Sequence, residues 1–383
     1  MSLEGQPWAA YLKEPPPPPH LSQWRRTPFS ALGLGSPQGS GGREEAPGTD
    51  GTEMEITLPK GLAAIPLADA AGSLSLKDVI SSCLGAAQDD AYRKLDFLNR
   101  ALARKALFIS IPGGFSSPDP LVIDARAASP YSFPRLLISA GARSRISLLL
   151  LEGSDAPATS LSFVHFHLAP GSSVNAFAVD DFALSSRRTS FVSASLEGEA
   201  SLGLAKMILG CGLNKNEVRV DLNGRGASAE MSGALFASES QQADFHSSQI
   251  HNAPSTASNL LFNSALRHRA RSNYTGLIRI EEKAFESDAY QANHNLLLSD
   301  RARADTTPLL EILTDSVRCK HGATAGAVDP EEIFYMQCRG LDPVEAQKTR
   351  VMGFFSPVLS KAPVLKDRDI ARRLESSLEK RLQ

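Results

Sequence analysis

The chain has 383 residues, with 40 lysines and arginines against 42 acids and 42% hydrophobic residues, for a formal charge of −2. That is ample apolar material for one large or two medium globular domains, while the near-neutral balance excludes a global attraction to nucleic acid or anionic lipid. The longest aliphatic run, Ile146 to Leu151, is broken by Ser147 and is far short of the roughly 20 apolar residues a membrane-spanning helix needs, so a soluble protein with no membrane and no nucleic acid partner is expected.

Four cysteines, Cys83, Cys211, Cys319 and Cys338, form no C-x-x-C pair, and the start carries no charged-then-apolar signal. The expected location is the reducing cytoplasm.

Residues 1–60 read as a largely flexible region. Prolines fill positions 15 to 19, and Gly, Ser, Pro and acids dominate from Gly35 to Gly51, a composition too poor in apolar side chains to offset ordering. Within it, Trp24, Phe29, Leu32 and Leu34 could anchor one short element. Residues 61–110 turn helical. Leu76, Val79, Ile80 and Leu84 share a face, and Tyr92, Leu95, Leu98 and Leu102 share another, which predicts two amphipathic helices. The segment ALFISIPGGFSSPDPLVI then switches to extended character around a Pro112–Gly114 turn, and residues 111–325 read as a β core. Short apolar stretches recur about every dozen residues, with glycines such as Gly153, Gly171, Gly210 and Gly226 at their ends. Val218, Val220 and Leu222 alternate with Glu217, Arg219 and Asp221 as a half-buried strand should. Periodicity leaves a sandwich and a coiled solenoid both open.

Residues 326–383 are again helical. Asp329, Pro330 and Glu332 stand where an N-cap, a first-turn proline and a capping-box acid belong, and Asp342, Pro343 and Glu345 repeat the pattern. A third helix is predicted over Asp367 to Leu382.

Candidate chemistry concentrates between Leu310 and Gly326. Cys319 and His321 stand two apart, so an extended backbone points them the same way, close enough for a thiolate and an imidazole to share one metal ion. Glu311 opens the same stretch as a weaker third ligand. Elsewhere, His165 and His167 form an H-x-H on a strand and read as two surface histidines. His246 and His251 are as suited to structural hydrogen bonds as to metal. No phosphate-cradling G-x-x-x-x-G-K-[ST], G-x-S-x-G elbow or H-E-x-x-H helix occurs, so the chain is expected to bind no nucleotide and to be no enzyme of those classes.

Several phrases in fixed order carry a family resemblance: NHNLLLS (Asn293–Ser299), PLLEI (Pro308–Ile312), VRCKHGAT (Val317–Thr324), IFYMQCRG (Ile333–Gly340), and the stretch from Ala346 to the Gly353–Phe354 pair. Together they resemble the carboxy-terminal half of the SufB/SufD family of iron-sulfur cluster assembly proteins, and QWRRTPFSAL resembles a segment near the start of its members. The resemblance implies a mainly β fold with a right-handed parallel β-helix core and helical flanks. It implies a non-catalytic scaffold of the SUF complex, supporting iron acquisition and cluster assembly with a SufB-like subunit and a SufC-like ATPase. The SufB branch carries a cysteine before its LLL phrase; here that segment reads AYQANHNLLL, so the chain is SufD-like. Iron or a cluster shared with SufB is then expected at His321 and Cys319, since two ligands leave half of a usual cluster shell to a partner. The tail helices are implied as the ATPase dock, with Phe334, Tyr335, Arg339, Gly340, Phe354 and Phe355 as contact candidates. A homodimer is a further possibility. The rival reading is a β-helix enzyme acting on acidic polysaccharide, for which Asp180, Asp181 and Asp244 are the available acids.

Overall fold

A computed structural model describes residues 6–18, 21, 23–34, 48–72, 92–361 and 381. A short helix α1 (Gln6–Lys13) and a 3-10 turn (Phe29–Leu32) precede β1 (Thr52–Thr57), β2 (Ala63–Pro66) and α2 (Leu67–Gly72). Helix α3 (Arg93–Leu102) then leads into β3 (Ala106–Ile111), β4 (Leu121–Ala127), β5 (Tyr131–Ser132) and β6 (Arg135–Ala140). Thirteen strands of ten residues follow. They are β7 (Arg145–Ser154), β8 (Thr159–Leu168), β9 (Ser173–Phe182), β10 (Arg187–Leu196), β11 (Ser201–Gly210), β12 (Leu213–Leu222) and β13 (Ser228–Ala237). The remainder are β14 (Gln242–His251), β15 (Ala257–Leu266), β16 (Arg271–Ile280), β17 (Asp288–Leu297), β18 (Arg303–Ile312) and β19 (Arg318–Ala327). Two helices close the described chain, α4 (Pro330–Cys338) and α5 (Pro343–Leu359).

From β6 on, successive strands alternate between two sheets, one of nine strands ending in β19 and one of ten ending in β18. Neighbours in each sheet are parallel and in register, except the antiparallel pairs β1–β4 and β2–β3. This is a parallel β-solenoid, which resolves the alternatives left open by periodicity. Each coil stacks its inward positions on the same positions of the next, giving a lumen of Ile138, Leu148, Val164, Ala176, Val192, Leu204, Val220 and Leu235. The coils approach closely where a side chain is missing, as at Gly153 on the outer face of β7, where a Cβ would meet the Asp181 carbonyl oxygen at 2.3 Å.

The turns differ from the glycine-punctuated pattern expected. Gly171 and Gly226 do take positive φ, but so do Arg143, Glu199, Ser255 and Glu286, with φ between 56° and 60°. A left-handed residue with a side chain costs about 1–2 kcal/mol. Here the turn backbone is fixed by the next coil: Glu199 N–H donates to the Arg225 carbonyl at 2.9 Å and Ser255 N–H to the Phe285 carbonyl at 2.9 Å.

Both outer faces are covered in part. On the ten-stranded sheet, Trp24, Phe29, Leu32 and Leu34 pack with Tyr92, Leu95 and Leu98 of the α3 region against Leu161, Phe163 and Phe191. Within residues 1–60 the expected anchor at Trp24, Phe29, Leu32 and Leu34 is present, and two described elements go beyond it: α1, whose Tyr11 joins the same cluster, and β1, which pairs with β4 in the nine-stranded sheet. Lys94 Nζ ties α3 to α1 by donating to the Tyr11 and Glu14 carbonyls at 3.0 and 2.7 Å. Glu217 and Asp221, on the face of β12 that sequence alternation assigned to solvent, are buried as well, Glu217 accepting from the Tyr92 hydroxyl and Asp221 from Arg219. On the nine-stranded sheet, α5 lays Val351, Phe355 and Val358 over Phe177, Met207 and Phe236. The helix predicted around Leu76 to Leu84 and the one over Asp367 to Leu382 lie outside the described residues, apart from Arg381.

The helix starts behave as their sequences require. Asp329 accepts from Glu331 N–H at 2.9 Å, and Asp342 from Val344 and Glu345 N–H at 2.9 Å. Glu332 does not complete a capping box; it accepts from Arg350 Nε at 2.5 Å and so holds α4 to α5.

Candidate functional site

The solenoid ends in two edge strands. β19 terminates one sheet and β18 the other, and among the described residues no strand pairs with their outer edges. A ten-residue edge presents a row of free backbone donors and acceptors. Inward positions of this last coil lie open as well: Leu310 is 37% and Ile312 40% exposed, beside Leu309 and Leu313 at 38% and 48%.

Register places the predicted ligands on this edge. Cys319 stacks on Ala289 and His321 on Gln291. Ala289 is buried with Ile278, Ile280 and Ala284, and Cys319 packs partly against that cluster. Gln291 Nε2 crosses the lumen to donate to the Gly276 carbonyl at 3.1 Å. Cys319 and His321 therefore share the inward face at the open mouth of the coil, with His321 exposed and Cys319 half-buried. Burial, with Asp288 adding to it, pushes the Cys319 thiol up, which favours the protonated thiol.

Glu311 does not join them. It lies on β18, in the opposite sheet, in register with Arg279, whose neighbours Ile278 and Ile280 are fully buried on the other face. Its carboxylate accepts from Arg279 at 3.1 Å on the outer surface. The third-ligand expectation for Glu311 is thus corrected: nearness in sequence spans a coil corner, which sends the two residues to different walls. Among the described residues no three His, Cys, Asp or Glu side chains converge as a metal site. Of the predicted ligands, the last coil brings together one thiol and one imidazole.

Three other histidines, His165, His246 and His251, are buried and hydrogen-bonded. His165 is buried, not at the surface as expected, and its Nδ1 is 2.7 Å from Ser193 Oγ. Burial, helped by His167 and Arg135, lowers its pKa to about 3. His246 is 2.9 Å from Asp244, and His251 is clamped between the Thr256 and Ser258 hydroxyls at 2.8 Å each. Burial lowers the His251 pKa to about 4, against an opposing effect of Asp288.

The acids of the polysaccharide reading are engaged and apart. Asp180 sits in the lumen, 3.2 Å from Arg188 and 3.0 Å from Lys206, with Glu152 also bonded to Arg188. Burial pushes the Asp180 carboxyl up, but the two cations outweigh it and leave the group below its usual range. Asp181 faces outward to Arg381 at 2.9 Å, and Asp244 is buried on the other sheet against Lys215 at 3.0 Å. Cys211, also buried, has its thiol pushed up to about 12 and donates to backbone carbonyls, which makes it inert.

The contact candidates of the tail divide. In α4, which buries no residue, Phe334 and Tyr335 are 66% and 58% exposed, and Arg339 stacks 4.9 Å over the Tyr335 ring; Arg339 and Gly340 are exposed. Phe354 is half-buried, its carbonyl accepting from Asn263 at 2.7 Å. Phe355 is corrected: it is fully buried on the sheet and presents nothing to a partner.

Comparison with known proteins follows this geometry. Residues 122–354 match the family model described as SUF system FeS cluster assembly, SufBD core domain, an interval running from β4 into α5. The iron-sulfur cluster assembly protein SufD of Escherichia coli is 28% identical over 206 residues, covering 54% of this chain and 45% of that protein. A SufBD family iron-sulfur cluster assembly protein of Mycobacterium tuberculosis is 29% identical over 228 residues, 57% of each chain. One from Mycobacterium leprae is 32% identical over 188 residues, 46% of this chain and 48% of its own. The matched region thus spans about half the length of these curated relatives. No helix among the described residues is long and apolar enough to cross a membrane.

Proposed function

The chain belongs to the SufBD family as a SufD-like member, and from that premise we propose that it is a non-catalytic scaffold subunit in iron-sulfur cluster assembly. The observation that carries this reading is the unfinished last coil. Its paired strands, exposed aliphatic side chains and inward Cys319 and His321 have the form of a rung awaiting another. A SufB-like subunit adding strands to β18 and β19 would satisfy the free backbone groups and bury Leu310 and Ile312. The same step would bring partner ligands to the thiol and imidazole. Iron or a nascent cluster is the cargo: His321 offers an accessible nitrogen, and Cys319 loses its proton as the metal binds. Helix α4, standing off the core with Phe334 and Tyr335 outward, is the proposed dock of a SufC-like ATPase in the cytoplasm, since exposed aromatics beside an arginine are typical binding anchors.

The test is anaerobic reconstitution with SufB-like and SufC-like partners. His321→Ala should leave the complex assembled, by mass, and lower the iron and sulfide recovered per complex. Unchanged cluster yield would remove His321 from the mechanism. A stable homodimer through the same edge that excludes the SufB-like subunit would overturn the heterodimer.

A further inference from the structure

A second feature lies away from the cysteine and histidine, on the outer surface of the ten-stranded sheet. Arg271 and Arg303 are register partners at the starts of β16 and β18, one directly over the other. They line a groove of about 440 Å³ that also takes in Arg25 and Arg26, and an adjoining hollow shares them with Arg269 and Arg301. Six guanidinium groups meet here from three parts of the chain, two of them from the amino-terminal segment. That segment is held in place by Trp24, which is buried with Lys215 Nζ 4.9 Å above its ring.

Like charges on adjacent strands repel, and where Glu152 stacks on Asp180 inside the solenoid, Arg188 bridges the two. Arg279 faces Glu311, and Arg318 faces Asp288 at 2.8 Å. In the groove the one acid, Asp305, is neutralised by Arg26 at 3.3 Å. Among the described residues, Arg25, Arg269, Arg271 and Arg301 form no ion pair. The cost of gathering them is not offset within the described residues, which points to an anion from outside.

We propose that this groove binds an oligophosphate anion, a short chain of two or three linked phosphates. Its cations are all arginines, whose planar forks grip phosphate oxygens two at a time where lysine offers a point charge. Its volume suits a small ligand, and Gln242 and Asn273 in the lining add neutral hydrogen bonds. The lining has no aromatic ring on which a nucleobase would stack and no apolar side chain to anchor a peptide. The site is independent of the scaffold role.

The experiment is calorimetric titration of the full chain with sodium tripolyphosphate at about 0.1 M salt, where the Debye length is about 10 Å. Saturable binding is expected, roughly tenfold or more tighter than orthophosphate, because several guanidinium groups engage one multivalent anion. Arg271→Gln with Arg303→Gln should weaken it about tenfold or more, and Arg225→Gln, exposed outside the groove, should leave it unchanged. All three side chains are exposed, so circular dichroism should show intact folds. Absence of saturable binding, or affinity indifferent to the double substitution, would overturn the proposal. So would an RNA oligomer or polyglutamate that binds more tightly and is not displaced by tripolyphosphate.

Discussion

Compare two coils of the same solenoid. β11 and β12 in the middle and β18 and β19 at the end have equal strand lengths and the same parallel register, yet β11 and β12 bury nearly every residue while β18 and β19 bury none. Local geometry is constant, and only the number of neighbouring coils changes. Exposure at the end is therefore a property of position along the stack. Leu310 and Ile312 hold inward positions that no further coil covers among the described residues.

The contrast can be broken most forcibly through charge. Arg188→Met in the middle strands Glu152 and Asp180 in the lumen and should cost about 3–5 kcal/mol of stability in urea unfolding. A stable variant with a normal midpoint would mean that the lumen network is not ionised. Truncation sharpens the comparison next. Leu235→Ala, where Leu235 is 1% exposed, should cost about 2–5 kcal/mol. Leu310→Ala should cost the isolated chain less than about 1 kcal/mol, because an exposed side chain leaves no cavity. Equal losses at the two leucines would show the end to be as well packed as the middle.

Acid acts through two buried histidines. His165 and His251 have folded pKa values of about 3 and about 4, below the ordinary 6.5. The unfolded chain thus binds more protons than the folded one in between. Stability is fully present above about pH 6.5 and falls as pH drops toward 4, by about 2 kcal/mol per histidine at pH 5. His251→Asn should flatten the slope of unfolding free energy against pH by about one proton over that range; an unaltered slope would show His251 is not the group responsible.

Much of this architecture was legible in the chain. Strand spacing and alternation reveal the β core, and Asp329 and Asp342 mark their helix starts, since these are local signals. The family phrases decide for a solenoid where periodicity alone does not. What stayed hidden depends on which coil lies beside which. Glu311 is eight residues from Cys319 but on the opposite wall, because the turn between β18 and β19 changes sheets. His165 alternates like a surface residue on a strand that is in fact covered outside. The burial of Phe355 next to half-exposed Phe354 needed the angle of α5 against the sheet. The arginine groove did leave a trace, the paired R-x-R runs at Arg269–Arg271 and Arg301–Arg303, but their superposition requires knowing the coil length.

The stacked turns have one more implication. A coil is held chiefly by the coils above and below it, so cohesion is shared pairwise along the axis and the last rung has half the usual support. Backbone amides of β18 and β19 should exchange with deuterium fastest among the ten-residue strands. The thiol and imidazole thus ride on the most readily opened part of the solenoid, where any added neighbour would stiffen the backbone that carries them.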